Sequence, residues 1–430
     1  MAYSSGKEST FLGLKLWQQV LLGLILGIVC GLVLRTYGGD ADQISYLAEK
    51  VKTVGTIFIK LIKMVVAPLI MFALISGVTS LTGDHAASRI GMKGAGAYLL
   101  TAILAVIFGL TIATIDKPGV GIDKSITEKH LSAGTFTTPT AGQDATFGTF
   151  LINLIPANIF NAMAEDNYLQ IVIFSIFTGL VMMKLGDKVK KAKETIDQFA
   201  AVAFKMIELV VLLAPLAIFG FVSWMVATMG LDAIRALVEL VALVIAACFL
   251  QYCFFGVLIL VFARVNPFKF YRKMVTTQLM AFSTSSSKAT LSTAMRELED
   301  KLGVSTSTTN FMMPLGAAIN MDGTAIYLGI CAVFFSQLYG INLHMSDYLM
   351  LVVTCTLGSI GAAGIPSGSI IFMGMVLHSV GLPLEGIGII LGIDRILDMF
   401  RTTVNITGDA AITLIIDKTE GKTDMKVYNS

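Results

Sequence analysis

Residues 282–290 read Phe-Ser-Thr-Ser-Ser-Ser-Lys-Ala-Thr, a run too polar for a helix that faces lipid. A second irregular stretch, 347–381, is apolar but is interrupted by Gly358, Gly361, Gly364, Pro366 and Gly368. Such residues open the backbone, and a bilayer tolerates open N–H and C=O groups only where protein or a watery cavity satisfies them. We therefore predict two re-entrant helical hairpins, at about 270–300 and 347–381, with their tips near the middle of the membrane.

Charged residues are scarce in the chain as a whole. Lys, Arg, Asp and Glu make up 14% of the 430 residues, and hydrophobic residues make up 55%. An average soluble protein has about 25% charged residues. This composition predicts an integral membrane protein in contact with lipids and disfavours soluble enzymes and disordered scaffolds. The formal net charge of +2 disfavours a nucleic-acid partner.

Eight segments are apolar and long enough to cross a hydrocarbon core, which requires about 20 residues. They are 12–34, 54–80, 95–115, 147–183, 198–228, 232–263, 306–338 and 383–416. Lys and Arg cluster after the second, fourth and sixth segments and at the C-terminus, which places both termini in the cytoplasm. The hairpins then enter from opposite sides, and each precedes a span with polar residues. The fold class is thus an all-α polytopic membrane protein with inverted repeats, typical of transporters of the plasma (inner) membrane.

The eighth span carries a polar stripe. Asp394, Asp398, Arg401 with Thr402, Asn405 and Asp409 fall on one helical face. The stripe is about 22 Å long at about 1.5 Å per residue. Ionisable residues inside a membrane usually mark a transport pathway, although Asp398 and Arg401 could instead form a structural pair within the helix.

The seventh span is interrupted by Asn320-Met321-Asp322-Gly323-Thr324. Gly weakens a helix, and Asn and Asp compete for its backbone hydrogen bonds, so we predict an unwound turn here. Together, the interruption of span seven and residues 394–409 of span eight contain four Asp and two Arg, a surplus of two negative charges. Carboxylate, amide and carbonyl oxygens suit small monovalent cations, so we expect bound cations or protons on some of these aspartates.

The same residues indicate a substrate. The planar guanidinium of Arg401 suits a carboxylate, and Asp398 suits an ammonium group. The hairpin tips supply hydroxyls and helix N-termini that favour a second carboxylate. Aspartate or glutamate combines these groups.

The chain resembles the dicarboxylate/amino-acid:cation symporters, a family that includes excitatory amino-acid transporters. The motifs that carry the resemblance are 320–324, 359–366 (Ser-Ile-Gly-Ala-Ala-Gly-Ile-Pro) and 398–405 (Asp-Met-Phe-Arg-Thr-Thr-Val-Asn). The resemblance implies a homotrimer with an elevator mechanism. It also implies these parts: scaffold at 12–90 and 147–230, transport domain at 91–116 and 231–417, extracellular loop at 117–146 and cytoplasmic tail at 418–430.

The resemblance also implies site residues. Those for substrate are Ser286, Ser287, Thr324, Ile365, Asp398, Arg401, Thr402 and Asn405. One sodium site would use Gly316, Asn320, Asn405 and Asp409, and a second would use Ala318, Ser359, Ile360 and Ala362. A third would use Tyr98, Thr101, Asn320 and Asp322. The coupled ion is thus Na⁺, with no organic cofactor.

The chain departs from the family pattern at several positions. Ala102 stands where a Ser often completes the third sodium site, and Lys288 and Ser292 alter the first hairpin. Leu328 stands where proton-carrying members have Glu, which disfavours that style of coupling.

Three alternatives remain beside sodium-coupled uptake of an acidic amino acid. A proton-coupled glutamate or C4-dicarboxylate symporter of the same family is the nearest, but a dicarboxylate carries no ammonium for Asp398 to bind. A Ser/Lys hydrolase would use Ser285 and Lys288 as S-x-x-K, yet the companion S-D-N and K-T-G motifs are absent, so we expect no enzyme. A pure channel fits two opposed hairpins less well than a gated carrier.

Overall fold

The computed structural model describes residues 16–79, 89–120, 152, 155–165, 167–362, 368–384 and 386–430. Over these residues every element of secondary structure is a helix. The first half forms α1 (Leu16–Tyr37), α2 (Ala41–Thr79), α3 (Arg89–Asp116), α4 (Ile159–Ala164), α5 (Tyr168–Leu185), α6 (Lys190–Val211), α7 (Ala214–Met229) and α8 (Leu231–Leu258). The second half forms α9 (Pro267–Lys273), α10 (Val275–Thr284), α11 (Ser287–Asp300), α12 (Thr306–Ile319), α13 (Asp322–Leu338), α14 (Met345–Gly361), α15 (Gly368–Ser379), α16 (Gly386–Thr419) and α17 (Met425–Asn429).

Six helical stretches of the described chain are long and apolar enough to cross a membrane. They are Gln18–Tyr37, Ala41–Thr79, Ile90–Asp116, Gln170–Val211, Ile234–Ala263 and Thr306–Leu338. The predicted eighth span is present as α16, which has 34 residues but carries the charged stripe. The fold is therefore all-helical with several membrane-crossing helices, and the number of eight spans stays a prediction.

Two of the predicted spans are not single helices. Within 147–183, α4 ends at Ala164 and α5 begins at Tyr168, and within 198–228, α6 ends at Val211 and α7 begins at Ala214. Pro215 lies in the first turn of α7. Its ring excludes a helical hydrogen bond and crowds the carbonyl four residues earlier, that of Val211, so the helix breaks there.

Both predicted hairpins are present as paired short helices. The arms α10, α11, α14 and α15 have 10, 14, 17 and 12 residues, or about 15 to 26 Å, less than the core thickness of about 30 Å. At the first tip Ser285 adopts a left-handed conformation, with φ of 51°, and the Ser286 hydroxyl caps α11 by accepting from the Ala289 N–H at 3.3 Å. The second tip, with Ile365, lies outside the described residues. The structure confirms helical hairpins, and their depth in the membrane stays a prediction.

Helix α1 has one exposed apolar face and one face that packs against another helix. Leu22, Ile25, Leu26, Val29 and Val33 form an exposed apolar stripe, as expected of a lipid-facing surface. On the other side, Gly23, Gly27 and Gly31 lie against Pro215, Val222 and Val226 of α7. The small residues thus allow two helices of one chain to approach closely.

Gly23→Ala is expected to lower the midpoint of thermal unfolding. A Cβ at this position would lie 2.4 Å from the Pro215 carbonyl oxygen, and overpacking typically costs about 1–3 kcal/mol. Gly96→Ala is the matched control, because a Cβ there meets nothing within 4 Å. Unfolding of the detergent-solubilised variants measures both, and an equal midpoint for the two would contradict the close contact.

Helix α16 is the element around which the site is built. It packs against α3, α8, α12 and α13 and against the hairpin helices α10, α11 and α15. Helices α1, α2, α5, α6 and α7 form a second packed group. The division into scaffold and transport domains stays a prediction.

Candidate functional site

The interruption between α12 and α13 is present where the sequence predicts it. Helix α12 ends at Ile319, and Asn320 and Met321 leave the helical conformation before α13 begins at Asp322. The Gly323 N–H donates to Asn405 Oδ1 at 2.8 Å. A Cβ on Gly323 would lie 2.6 Å from the Arg401 carbonyl oxygen, so glycine is needed for the approach of α13 to α16.

Arg401 lies at the centre of a buried charged group. Its side chain is 0% exposed, and Nη2 donates to Asp394 Oδ1 at 2.8 Å and to Asp398 Oδ1 at 2.9 Å. The guanidinium carbon lies 4.0 Å from the centre of the Tyr327 ring. Ser369 of α15 donates to Asp394 at 3.3 Å, which connects the second hairpin to this group.

Asp398 and Arg401 do form an ion pair within the helix. This pair leaves hydrogen-bond donors of the guanidinium without an acceptor. Nε and Nη1 of Arg401 are buried and have no hydrogen-bond partner among the described residues. Unpaired buried donors are unfavourable and rare in proteins. Both nitrogen atoms are therefore available to donate to a carboxylate.

A second buried group contains Asp322 and Asp409, each 0% exposed. Gln251 Nε2 donates to Asp322 Oδ2 at 3.0 Å, and Thr101 Oγ1 lies 3.5 Å from Asp322 Oδ1. Asn320 Nδ2 donates to Asp409 Oδ1 at 2.9 Å, whereas Oδ2 has no partner within the described part of the chain.

The two buried groups differ in their charge balance. Asp394 and Asp398 share Arg401, with Arg395, 28% exposed, at 4.0 Å from Asp398. Asp322 and Asp409 form no ion pair with any described residue, because their partners are the neutral groups just given. A buried carboxylate without a countercharge is strongly disfavoured, so this second group requires a cation or protons.

Residues of the third predicted sodium site lie around Asp322 and Asp409. Thr101 Oγ1 lies 3.2 Å from Asn320 Oδ1, and the Tyr98 hydroxyl donates to the Met312 carbonyl at 3.0 Å. A Cβ on Gly316, predicted for the first set, would meet Asp409 Oδ1 at 2.7 Å and the Tyr98 hydroxyl at 2.8 Å. Members of the first and third sets thus share one buried cluster of oxygen atoms.

The second predicted set is not joined to this cluster. Ala318 lies in α12, and Ser359, Ile360 and Ala362 lie at the end of α14, which packs against α12 and α13. Among the described residues, no hydrogen bond joins these four residues to Asp322 or Asp409. This set stays a prediction.

Three further predicted substrate residues lie on α13 and α16, which pack against each other: Thr324, Thr402 and Asn405. Thr324 and Thr402 are buried, and Asn405 Nδ2 lies 3.5 Å from Thr324 Oγ1. Ser286 and Ser287 form the first hairpin tip, and Phe282 of that hairpin meets Phe400 edge-on at 5.1 Å. The Ser287 hydroxyl is buried with no partner among the described residues. These contacts place the first hairpin beside the Arg401 helix.

Sequence reasoning missed Gln251 and Tyr327. Gln251 had a detectable signal, because an amide in the middle of an apolar span is costly unless it has a partner. Tyr327 had no such signal, since its contact with Arg401 depends on how α13 packs against α16.

The Lys288 ammonium lies 5.5 Å from the centre of the Phe204 ring of α6, a cation–π contact.

A family model described as the sodium:dicarboxylate symporter family matches residues 16–419. The chain belongs to this family. The proton/sodium-glutamate symport protein of Bacillus subtilis is 31% identical over 404 residues, 94% of this chain and 92% of that protein. The proton/glutamate-aspartate symporter of Escherichia coli is 33% identical over 416 residues, 95% of this chain and 93% of that protein.

A C4-dicarboxylate transport protein of Bacillus subtilis is also similar, with 31% identity over 410 residues, 94% of each chain. Two of these relatives are named as amino-acid symporters and one as a C4-dicarboxylate transporter. The chain is about equally similar to all three. This chain is an integral membrane protein of the dicarboxylate and glutamate symporter family. Its residues, and not its overall similarity, must distinguish the substrate and the coupled ion.

Proposed function

We propose that this symporter takes up L-aspartate or L-glutamate together with sodium ions. The observation that carries the proposal is the arrangement on α16, where Arg401 keeps two buried, unpartnered nitrogen atoms beside Asp398. The guanidinium receives the side-chain carboxylate, with Thr324 beside it. Asp398 binds the amino group, and Thr402, Asn405 and the hairpin tips at Ser286, Ser287 and Ile365 bind the α-amino and α-carboxylate end.

Asp398 favours an amino acid over a C4-dicarboxylate. It is buried and contacts Arg401 at 2.9 Å. A second carboxylate of a dicarboxylate substrate would meet this aspartate with like charge at low dielectric, which is unfavourable. An ammonium group there meets opposite charge, since two carboxylates share the single guanidinium of Arg401.

The cluster around Asp322 and Asp409 favours sodium over protons as the coupled ion. A proton on a carboxylate needs one acceptor, whereas this cluster gathers two carboxylates, the Asn320 amide and the hydroxyls of Tyr98 and Thr101. Such convergence of hard oxygen atoms suits a metal cation. Ala318, Ser359, Ile360 and Ala362 form a further sodium site in this proposal.

Homotrimeric assembly and an elevator movement of the transport domain complete the proposal. Both follow from the family resemblance, whereas the cytoplasmic termini follow from the distribution of Lys and Arg and the plasma (inner) membrane from the predicted transporter class. The second hairpin serves as the gate. Its arm α15 supports this role, because Ser369 reaches Asp394 next to Arg401.

Radiolabelled uptake into proteoliposomes tests the proposal when sodium, proton and potassium gradients are varied independently. We expect an inward sodium gradient to drive uptake of aspartate or glutamate, and a proton gradient without sodium to drive little. Succinate is expected to compete poorly. Equal uptake driven by protons alone would exclude sodium coupling, and equal competition by succinate would exclude the assigned role of Asp398.

A further inference from the structure

Gln251 is the residue that α8 contributes to the buried cation cluster. It lies in the middle of an apolar helix and is 0% exposed. Its Nε2 donates to Asp322 Oδ2 at 3.0 Å. This contact fixes the amide group at the carboxylate that lacks a countercharge.

The oxygen of the same amide lacks a hydrogen-bond donor among the described residues. Gln251 Oε1 is buried and accepts no hydrogen bond from any described residue. Since Oε1 and Nε2 are attached to one carbon, the oxygen lies next to the atom that contacts Asp322. A buried carbonyl oxygen without a donor is unfavourable, unless a group that is not part of the polypeptide satisfies it.

The neighbouring helix α3 supplies one side-chain hydroxyl to the cluster. On α3, Thr101 contributes a hydroxyl to the cluster, but the buried Ala102 that follows it has no side-chain oxygen. Hard cations bind carboxylate, carbonyl and hydroxyl oxygens together. The cluster around Asp322 therefore offers an amide oxygen from α8 beside the hydroxyl from α3.

We propose that Gln251 Oε1 is a direct ligand of the sodium ion that neutralises Asp322. The proposal rests on the proposed sodium coupling. The amide has two functions: its N–H orients the Asp322 carboxylate, and its oxygen binds the ion. Gln251 is then a determinant of sodium affinity in addition to Tyr98, Thr101, Asn320 and Asp322.

Two substitutions separate the functions of the amide. Gln251→Met removes the oxygen and the N–H at similar length. Gln251→Glu keeps oxygen ligands and removes the N–H, and it also adds a carboxylate beside Asp322. Gln278→Met is the matched control, because Gln278 lies in α10, and its Nε2 is also buried and unpartnered among the described residues.

The measurement is the sodium concentration that gives half-maximal aspartate uptake in proteoliposomes. We expect Gln251→Met to raise it by about tenfold or more, the range in which changes around metal ligands act. Gln251→Glu is expected to stay within about threefold of the wild type because it retains oxygen ligands. Gln278→Met is expected to match the wild type.

Sodium binding to the purified protein gives a readout that does not depend on transport. Thermal unfolding in detergent is followed while sodium chloride replaces choline chloride at constant ionic strength. An ion that binds the folded state raises the unfolding midpoint as its concentration increases. We expect the sodium-induced rise to be reduced in Gln251→Met and kept in Gln251→Glu.

Three results would overturn the proposal, and they are distinguishable. If Gln251 only positions Asp322 through its N–H, Gln251→Glu loses sodium affinity at least as much as Gln251→Met, and the ligand role is wrong. If both variants keep the wild-type sodium dependence, Gln251 has no role in the site, although sodium coupling stands. If the wild type itself shows neither sodium-driven uptake nor sodium-induced stabilisation, the proposed function fails together with the ligand.

Discussion

Replacement of Arg401 by Cys is expected to abolish recognition of aspartate and glutamate and to permit uptake of small neutral amino acids. Arg401 is wholly buried, and Nε and Nη1 have no partner among the described residues. In the proposed complex they hold the side-chain carboxylate. Truncating one partner of a buried charge pair costs about 2–5 kcal/mol, so the half-saturating aspartate concentration should rise about 100-fold or more.

The same substitution changes the local charge. Without Arg401, Asp394 and Asp398 lose their shared cation, and Arg395 at 4.0 Å is the other described arginine beside Asp398. An acidic side chain then meets negative charge, whereas a neutral amino acid still presents its ammonium group to Asp398. Uptake of labelled serine and alanine, compared with uptake of labelled aspartate in the same variant, measures the exchange of specificity.

Arg395→Cys is the matched control for Arg401→Cys. Arg395 lies on the same helix and contacts the same aspartate, but its side chain is 28% exposed. Its pairing with Asp398 is longer and partly solvated, which makes it weak. We expect its aspartate affinity to stay near the wild type. Unchanged aspartate affinity in Arg401→Cys would remove Arg401 from the substrate site.

The local irregularities of this fold were predictable from the sequence. Polar residues at 282–290 cannot face lipid, and Asn320, Asp322 and Gly323 weaken a helix at this point. The first hairpin and the break at 320–321 therefore follow from backbone hydrogen bonding. The bounds of other helices did not follow from hydropathy. Helix α2 begins at Ala41 and not at 54, because its first turns carry Asp42, Glu49 and Lys52, which are polar but compatible with a helix.

The charged residues of the candidate site were predictable from the sequence, but the contacts among them were not. The sequence alone states that the interruption of span seven and residues 394–409 hold a surplus of two negative charges. The sequence does not predict that Arg401 pairs with both Asp394 and Asp398. Nor does it predict that the described partners of Asp322 and Asp409 are neutral. That distribution depends on the packing of α8 and α13 against α16, and so does the contact of Gln251 with Asp322.

Asp409→Asn is expected to remove sodium dependence from transport and to stabilise the sodium-free protein. Asp409 is 0% exposed, and its hydrogen bond comes from the neutral Asn320 amide at 2.9 Å. An amide has nearly the same shape and keeps an acceptor for Asn320 but carries no charge. The substitution thus removes an unpaired buried charge, which favours the folded state, and also removes the attraction for a cation.

The two effects are measured in one pair of experiments. Thermal unfolding in choline chloride is expected to show a higher midpoint for Asp409→Asn than for the wild type, while addition of sodium shifts the wild type and not the variant. In proteoliposomes the half-saturating sodium concentration should rise about 100-fold or uptake should stop, because a charged ligand of the ion is lost. Wild-type sodium dependence in this variant would exclude Asp409 from the cation site.

Asp417→Asn distinguishes a cation ligand from a structural aspartate on the same helix. Asp417 is also 0% exposed. Its oxygens, however, accept from the Ser305 hydroxyl at 2.5 Å, the Ser305 N–H at 3.2 Å and the Thr423 hydroxyl at 2.8 Å. Hydrogen bonds to a charged acceptor contribute about 1.5–3 kcal/mol, so this variant should be less stable than the wild type without sodium and keep the same half-saturating sodium concentration. Opposite signs of the stability change at Asp409 and Asp417 therefore identify which of the two carboxylates is held in the fold for an ion.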